Sequence, residues 1–127
     1  MYKSEFADVA YNEELNIVLV TWKKFCVHDN YRKPLLFALD IMKQHNGCNY
    51  VADTRDGFEN DEADTQWLFD VFLPEAVKTS CENIFFIIIE DNKLKEELEA
   101  QSTELRKFFE VYYCFGLAEV KAILENS

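Results

Sequence analysis

A chain of 127 residues with 49% hydrophobic and 29% charged side chains has the size and composition of one globular domain, 1–127, with one core. The three glycines and two prolines leave no room for a Gly/Ser or Pro-rich linker, and no repeat or low-complexity tract is visible. The net charge of −11 is lopsided: six acids balance six bases in residues 1–50, whereas residues 51–127 carry eighteen acids against seven bases. Such a surface repels nucleic acid and anionic lipid headgroups.

The first elements read as a β-hairpin. Ser4 to Ala10 alternates weakly, Tyr11-Asn12-Glu13-Glu14 is turn-like, and Leu15 to Trp22 is rich in β-branched residues. Lys23 to Asn30 is irregular. Pro34 suits the first turn of a helix, and Leu35, Ala38, Leu39 and Met42 then recur at helical spacing. Asn46-Gly47 supplies a left-handed stop.

Asn49 to Thr54 is a short strand. The polar segment Asp53 to Asp64 then leads into a helix with Trp67, Leu68, Val71 and Phe72 as its apolar stripe. The acids Asp61, Glu62 and Asp64 complement the positive end of that helix. Pro74 is expected to kink or restart it, giving a second piece around Glu75 to Thr79. Ile84 to Ile89 is apolar on both faces, as a central strand covered by helices must be. Lys93 to Phe109 is helical by pattern, Val111 to Phe115 a last strand and Leu117 to Glu125 a last helix.

The order ββαβαβαβα predicts an α/β fold: a mixed, mostly parallel five-stranded sheet with an N-terminal hairpin and helices packed on it. The longest apolar run, Ile84–Ile89, is far shorter than the roughly 20 residues of a membrane-spanning helix. The N-terminus has no apolar signal-peptide core, so a cytoplasmic protein with reduced cysteines is expected.

Few residues suggest chemistry. Cys26/His28 and His45/Cys48 are the only close Cys/His pairs, and a zinc site would need both to converge; no metal and no cofactor is expected. The acids from Asp53 to Asp64 fail the EF-hand register, because Arg55 falls on the third position and Gly57 on the fifth. No GxSxG, Walker or GxGxxG motif is present, so an enzyme is disfavoured. Ligands of parallel sheets sit beyond the carboxyl ends of strands, where Asp53-Thr54-Arg55 and Glu90-Asp91 lie. One reading makes Arg55 an anion-binding cation oriented by Asp53, with Arg32, Trp22 and Trp67 completing a small-molecule site. The competing reading has Asp53 capping its own turn and pairing with Arg55 or Arg32. Most aromatics, Phe25 and Phe108 among them, read as core. Phe69 falls off the helical stripe and Phe58 lies in a polar loop, which marks them as interface candidates.

Trp22-Lys23-x-Phe25, Tyr31-Arg32-x-Pro34-Leu35, Ala52-Asp53-Thr54-Arg55, Asp64-x-x-Trp67 and Phe72-Leu73-Pro74, in this order over residues 15–90, resemble small bacterial STAS-like proteins. These belong with the SpoIIAA-like anti-sigma-factor antagonists and are grouped with CRAL-TRIO lipid-binding domains. The resemblance implies a regulatory or protein-interaction module with a protein partner, and the interface candidates Phe58 and Phe69 suggest a self-associating dimer as its simplest form. The resemblance also implies a phosphoacceptor near Thr54, although Asp53-Thr54-Arg55 replaces the family's Asp-Ser pattern. The expectation is therefore a non-enzymatic, self-associating module; the alternative is a binder or enzyme for a polar or lipid-like small molecule at the Asp53/Arg55 strand end.

Overall fold

The computed structural model describes residues 1–56, 62–89, 99 and 102–126. Among the described residues six strands form one mixed sheet: β1 (Tyr2–Lys3), β2 (Ala7–Asn12), β3 (Ile17–Trp22), β4 (Asn49–Asp53), β5 (Asn83–Ile87) and β6 (Glu110–Cys114). They lie side by side in chain order, antiparallel at β1–β2 and β2–β3 and parallel from β3 to β6. The sheet thus has one strand more than the five expected. β1 is too short to show a period, and its turn is built by Ser4. That hydroxyl donates to the Ala7 carbonyl at 3.0 Å and accepts the Phe6 and Ala7 N–H groups at 3.1 and 3.0 Å. The hairpin is present, but its first strand lies later than Ser4–Ala10. Its turn closes at Asn16, whose φ of 53° takes the left-handed conformation that Asn tolerates.

A sheet whose parallel strands always step the same way needs its connecting helices on one face. The packing agrees. Val18, Val20, Trp22, Tyr50, Ala52, Ile84 and Phe86 share a cluster with helix α1 (Asp29–Gln44) and the helical run from Glu62 to Val77; Leu105 and Phe109 close it beside β6. The alternate residues Ile17, Val51, Phe85, Ile87 and Cys114 face the opposite way and are covered by α4 (Leu117–Glu125) through Val120. β4 is buried along its whole length, as a strand coated on both sides requires.

Two elements depart from their sequence reading. Helix α1 begins at Asp29, a turn before the expected start, and carries Pro34 inside it. The run after residue 61 is α2 (Glu62–Trp67), a π-turn (Leu68–Phe72) and α3 (Leu73–Val77). Pro74 has no N–H for the Asp70 carbonyl and its ring would clash there, so the chain widens and the Leu73 N–H bonds the Leu68 carbonyl. The extra residue rotates the stripe. Leu68, Phe72, Leu73 and Ala76 are buried, Val71 is exposed, and Phe69 turns partly in against the core. Gly47, at φ 76°, ends the α1 connection as Asn46-Gly47 predicts. Of the helix expected over Lys93 to Phe109, residues 99 and 102–105 are helical, residues 106–109 form turns leading into β6 rather than helix, and residues 93–98, 100 and 101 lie outside the described residues.

Candidate functional site

The end of β4 is an ion pair folded onto its own turn. The Arg55 backbone N–H reaches Asp53 Oδ1 at 3.1 Å, Nε reaches the same oxygen at 3.0 Å and Nη2 reaches Oδ2 at 2.7 Å. Asp53 is nearly buried, whereas the Arg55 side chain stays 46% exposed. The carboxylate at its fork raises the guanidinium pKa further, so Arg55 is a permanent cation with one side engaged. Thr54 between them is 1% exposed; its hydroxyl donates to the Ile87 carbonyl at 2.8 Å and its N–H to the same oxygen at 2.9 Å. The expected phosphoacceptor is thus turned inward and already bonded, and it offers no hydroxyl to a kinase in this conformation.

A second cluster lies where α1 meets α2. Trp22, on β3, stacks on Tyr31 with centroids 5.2 Å apart, and Tyr31 meets Trp67 edge-on at 6.4 Å. Arg32 lies over Trp67, its Cζ 5.5 Å from the ring, and its Nε donates to Asp64 Oδ1 at 2.9 Å. Asp64 is fully buried, and its Oδ2 takes the His28 backbone N–H at 2.7 Å. The His28 imidazole remains largely exposed, with Nδ1 3.8 Å from Asp64 Oδ1. His28 holds φ 53° and ψ −126°, a conformation normally left to Gly. Asp64 is therefore the anchor that fixes the start of α1. As a sequence it reads only as a helix-start acid, and nothing in the order of residues pairs it with Arg32.

The five residues expected to form one site divide between the two faces. Asp53 alternates with Ala52 and sits in register with Thr21 and Ile87, on the face covered by α4. Trp22, Arg32 and Trp67 belong to the opposite, α1-covered face. Trp22 is a core residue rather than a ligand wall. With Tyr31, Leu35, Tyr50, Phe72 and other apolar side chains it lines a small cavity of about 20 Å³, room for roughly one water. A broad polar groove of about 560 Å³ lies at the other end of the sheet, between the ends of α1 and α3, where Glu75 holds Lys43 at 3.5 Å and Lys78 at 3.3 Å.

Burial pushes the Cys26, Cys48 and Cys114 thiols up to about 11 and Cys81 up to about 12, which leaves all four protonated at neutral pH. His45 stacks on Tyr11 at 3.8 Å while Cys48 is buried. Among the described residues no three His, Cys, Asp or Glu side chains are grouped to hold a metal ion.

The aromatic surface also differs from expectation. Phe69 packs against the core because of the π-turn, and Phe58 lies outside the described residues, as do Glu90 and Asp91. Instead Phe25, Phe108 and Phe115 are 53%, 53% and 56% exposed, the first two against their reading as core. Phe25 follows β3, and Phe108 and Phe115 flank β6. No helix among the described residues is long and apolar enough to cross a membrane. No family model matches the chain, and no curated protein matches it.

Proposed function

We propose that this chain is a non-enzymatic, STAS-like protein-interaction module of the cytoplasm that works by self-association. The observation that carries the reading is the set of three phenylalanines more than half exposed, two of them flanking β6. Aromatic side chains exposed together mark protein contacts while single ones are ordinary, so the pair bracketing β6 carries more weight than Phe25. Support comes also from the interior. The small apolar cavity has room for about one water, both candidate cations are held by carboxylates, and no thiol is ionised at neutral pH. Light scattering across a concentration series, with Phe25→Glu, Phe108→Glu and Phe115→Glu beside the unaltered chain, tests it. Association weakened by at least one substitution is expected; a monomer at every concentration overturns self-association.

A second reading, a binding site for a small anion at Arg55, is favoured by the guanidinium remaining nearly half exposed outside its pair with Asp53. Native mass spectrometry separates the two. A bound mass that disappears in Arg55→Ala selects the ligand site, and a dimer mass with nothing added selects the module.

A further inference from the structure

The two edges of the sheet are unequally protected. β1 is two residues long and one of them is Lys3, the kind of short, charged edge that resists pairing with another chain. β6 is five residues long, contains neither lysine nor proline, and carries its one charge at its first residue, Glu110. Among the described residues no strand pairs with its outer side.

Hydrogen-bond parity says which groups that outer side presents. The Glu110 N–H donates to the Glu82 carbonyl at 3.0 Å and the Ile88 N–H to the Cys114 carbonyl at 2.8 Å. In a parallel ladder this turns the backbones of Glu110, Tyr112 and Cys114 toward β5, so Val111 and Tyr113 turn their N–H and C=O groups outward. The next outward donor, the Phe115 N–H, is taken by the Glu119 carboxylate at 3.0 Å, and the open edge ends there.

The geometry points to a second copy of this chain on that edge, its β6 antiparallel to the first across a two-fold axis normal to the sheet at Tyr112. This deepens the self-association proposed above and rests on it. An axis normal to the sheet keeps each side chain on its face, so it must pass through a residue position. Centred on Tyr112, it sets Val111 against Tyr113 of the second copy as a hydrogen-bonded pair, and the symmetric pair repeats it. Both residues are the outward-turned ones, so each pair can exchange both backbone bonds. The same register places Tyr112 against its counterpart and Glu110 against Cys114, whereas an axis at Glu110 would oppose two carboxylates. It also brings Phe115 of one copy to the end of the other copy's β6, where Phe108 lies. The two exposed phenylalanines that bracket the strand are thereby covered, and the two sheets become one. Recognition by strand addition uses just these elements, main-chain bonds for affinity and flanking side chains for register.

Val111→Pro tests the arrangement. It removes an outward N–H and no bond to β5, a substitution that an edge strand accepts. Sedimentation velocity on the full chain from micromolar to submillimolar concentration should show a dimer for the unaltered protein. Val111→Pro should weaken it by at least about tenfold with its far-ultraviolet circular dichroism unchanged. If Val111→Pro fails to fold, amide exchange on the unaltered chain replaces it: Val111 and Tyr113 gain protection as concentration rises, and Tyr112 does not. A dimer indifferent to Val111→Pro, or without that gain in protection, overturns the β6 edge and leaves self-association standing. A monomer throughout overturns both.

Discussion

Asp64 shows what a single residue does here that its neighbours in sequence do not announce. It is fully buried, and it accepts the His28 N–H and the Arg32 Nε that define where α1 begins. Removing it strands a guanidinium and a backbone donor, and breaking a partly buried pair of this kind costs about 3 kcal/mol. Asp64→Ala should therefore lose about that much stability in urea titration, and a loss below about 1 kcal/mol would show the anchor to be incidental. His28 carries the opposite expectation. Its positive φ costs on the order of 1–3 kcal/mol in a non-glycine residue, while glycine adds flexibility to the unfolded chain. His28→Gly should be neutral or slightly stabilising and His28→Val clearly destabilising, both read from the same titration; equal losses would mean that the backbone there is not strained. The Asp53–Arg55 pair was legible because it joins neighbours through a turn. The Arg32–Asp64 pair spans two helices, and only the folded arrangement brings it together.

At the scale of elements, the periods that place α1, β4, β5 and the C-terminal helix are read directly from the chain, because burial on one or both faces imposes them. What periodicity could not supply is the π-turn, since a helical wheel drawn at a constant angle puts Val71 inside and Leu73 outside. The structure reverses both, and Pro74 is the cause. A prediction follows from the spacing. Deleting Val71 would put Leu68, Phe72, Leu73 and Ala76 at i, i+3, i+4 and i+7, the spacing of an ordinary α-helix. With Pro74 still present, the straightened helix meets the proline's steric clash and should lose about 3 kcal/mol. With Pro74→Ala added, most of that loss should be recovered. Thermal melts of the deletion with and without Pro74→Ala decide it; equal melting temperatures would mean that Pro74 does not hold the wide turn open.

For the whole molecule, alternation of strands and helices conveyed an α/β sheet but not that its strands lie in chain order or that five expected site residues would part onto two faces. A side chain's face depends on strand parity, and Asp53 is one residue out of step with Ala52. The four thiols sample both sides of that sheet, Cys26, Cys48 and Cys81 on the α1 side and Cys114 beneath α4. In the folded chain their protons are held to about pH 11, or about 12 for Cys81, against an ordinary thiol value of 9.0. Burial is the main cause, since a thiolate in the core would lose its water. A raised pKa means that the folded state keeps protons which the unfolded state gives up. This contribution is complete below pH 9 and is lost as pH climbs from 9 towards 11, by at most about 1.4 kcal/mol per thiol per pH unit. Urea midpoints should thus be level near neutrality and fall steeply through that window. Cys81→Ala, which removes the thiol shifted furthest, should flatten the fall. A midpoint unchanged between pH 8 and about 10.5 would mean that the thiols ionise as readily inside the sheet as in the open chain.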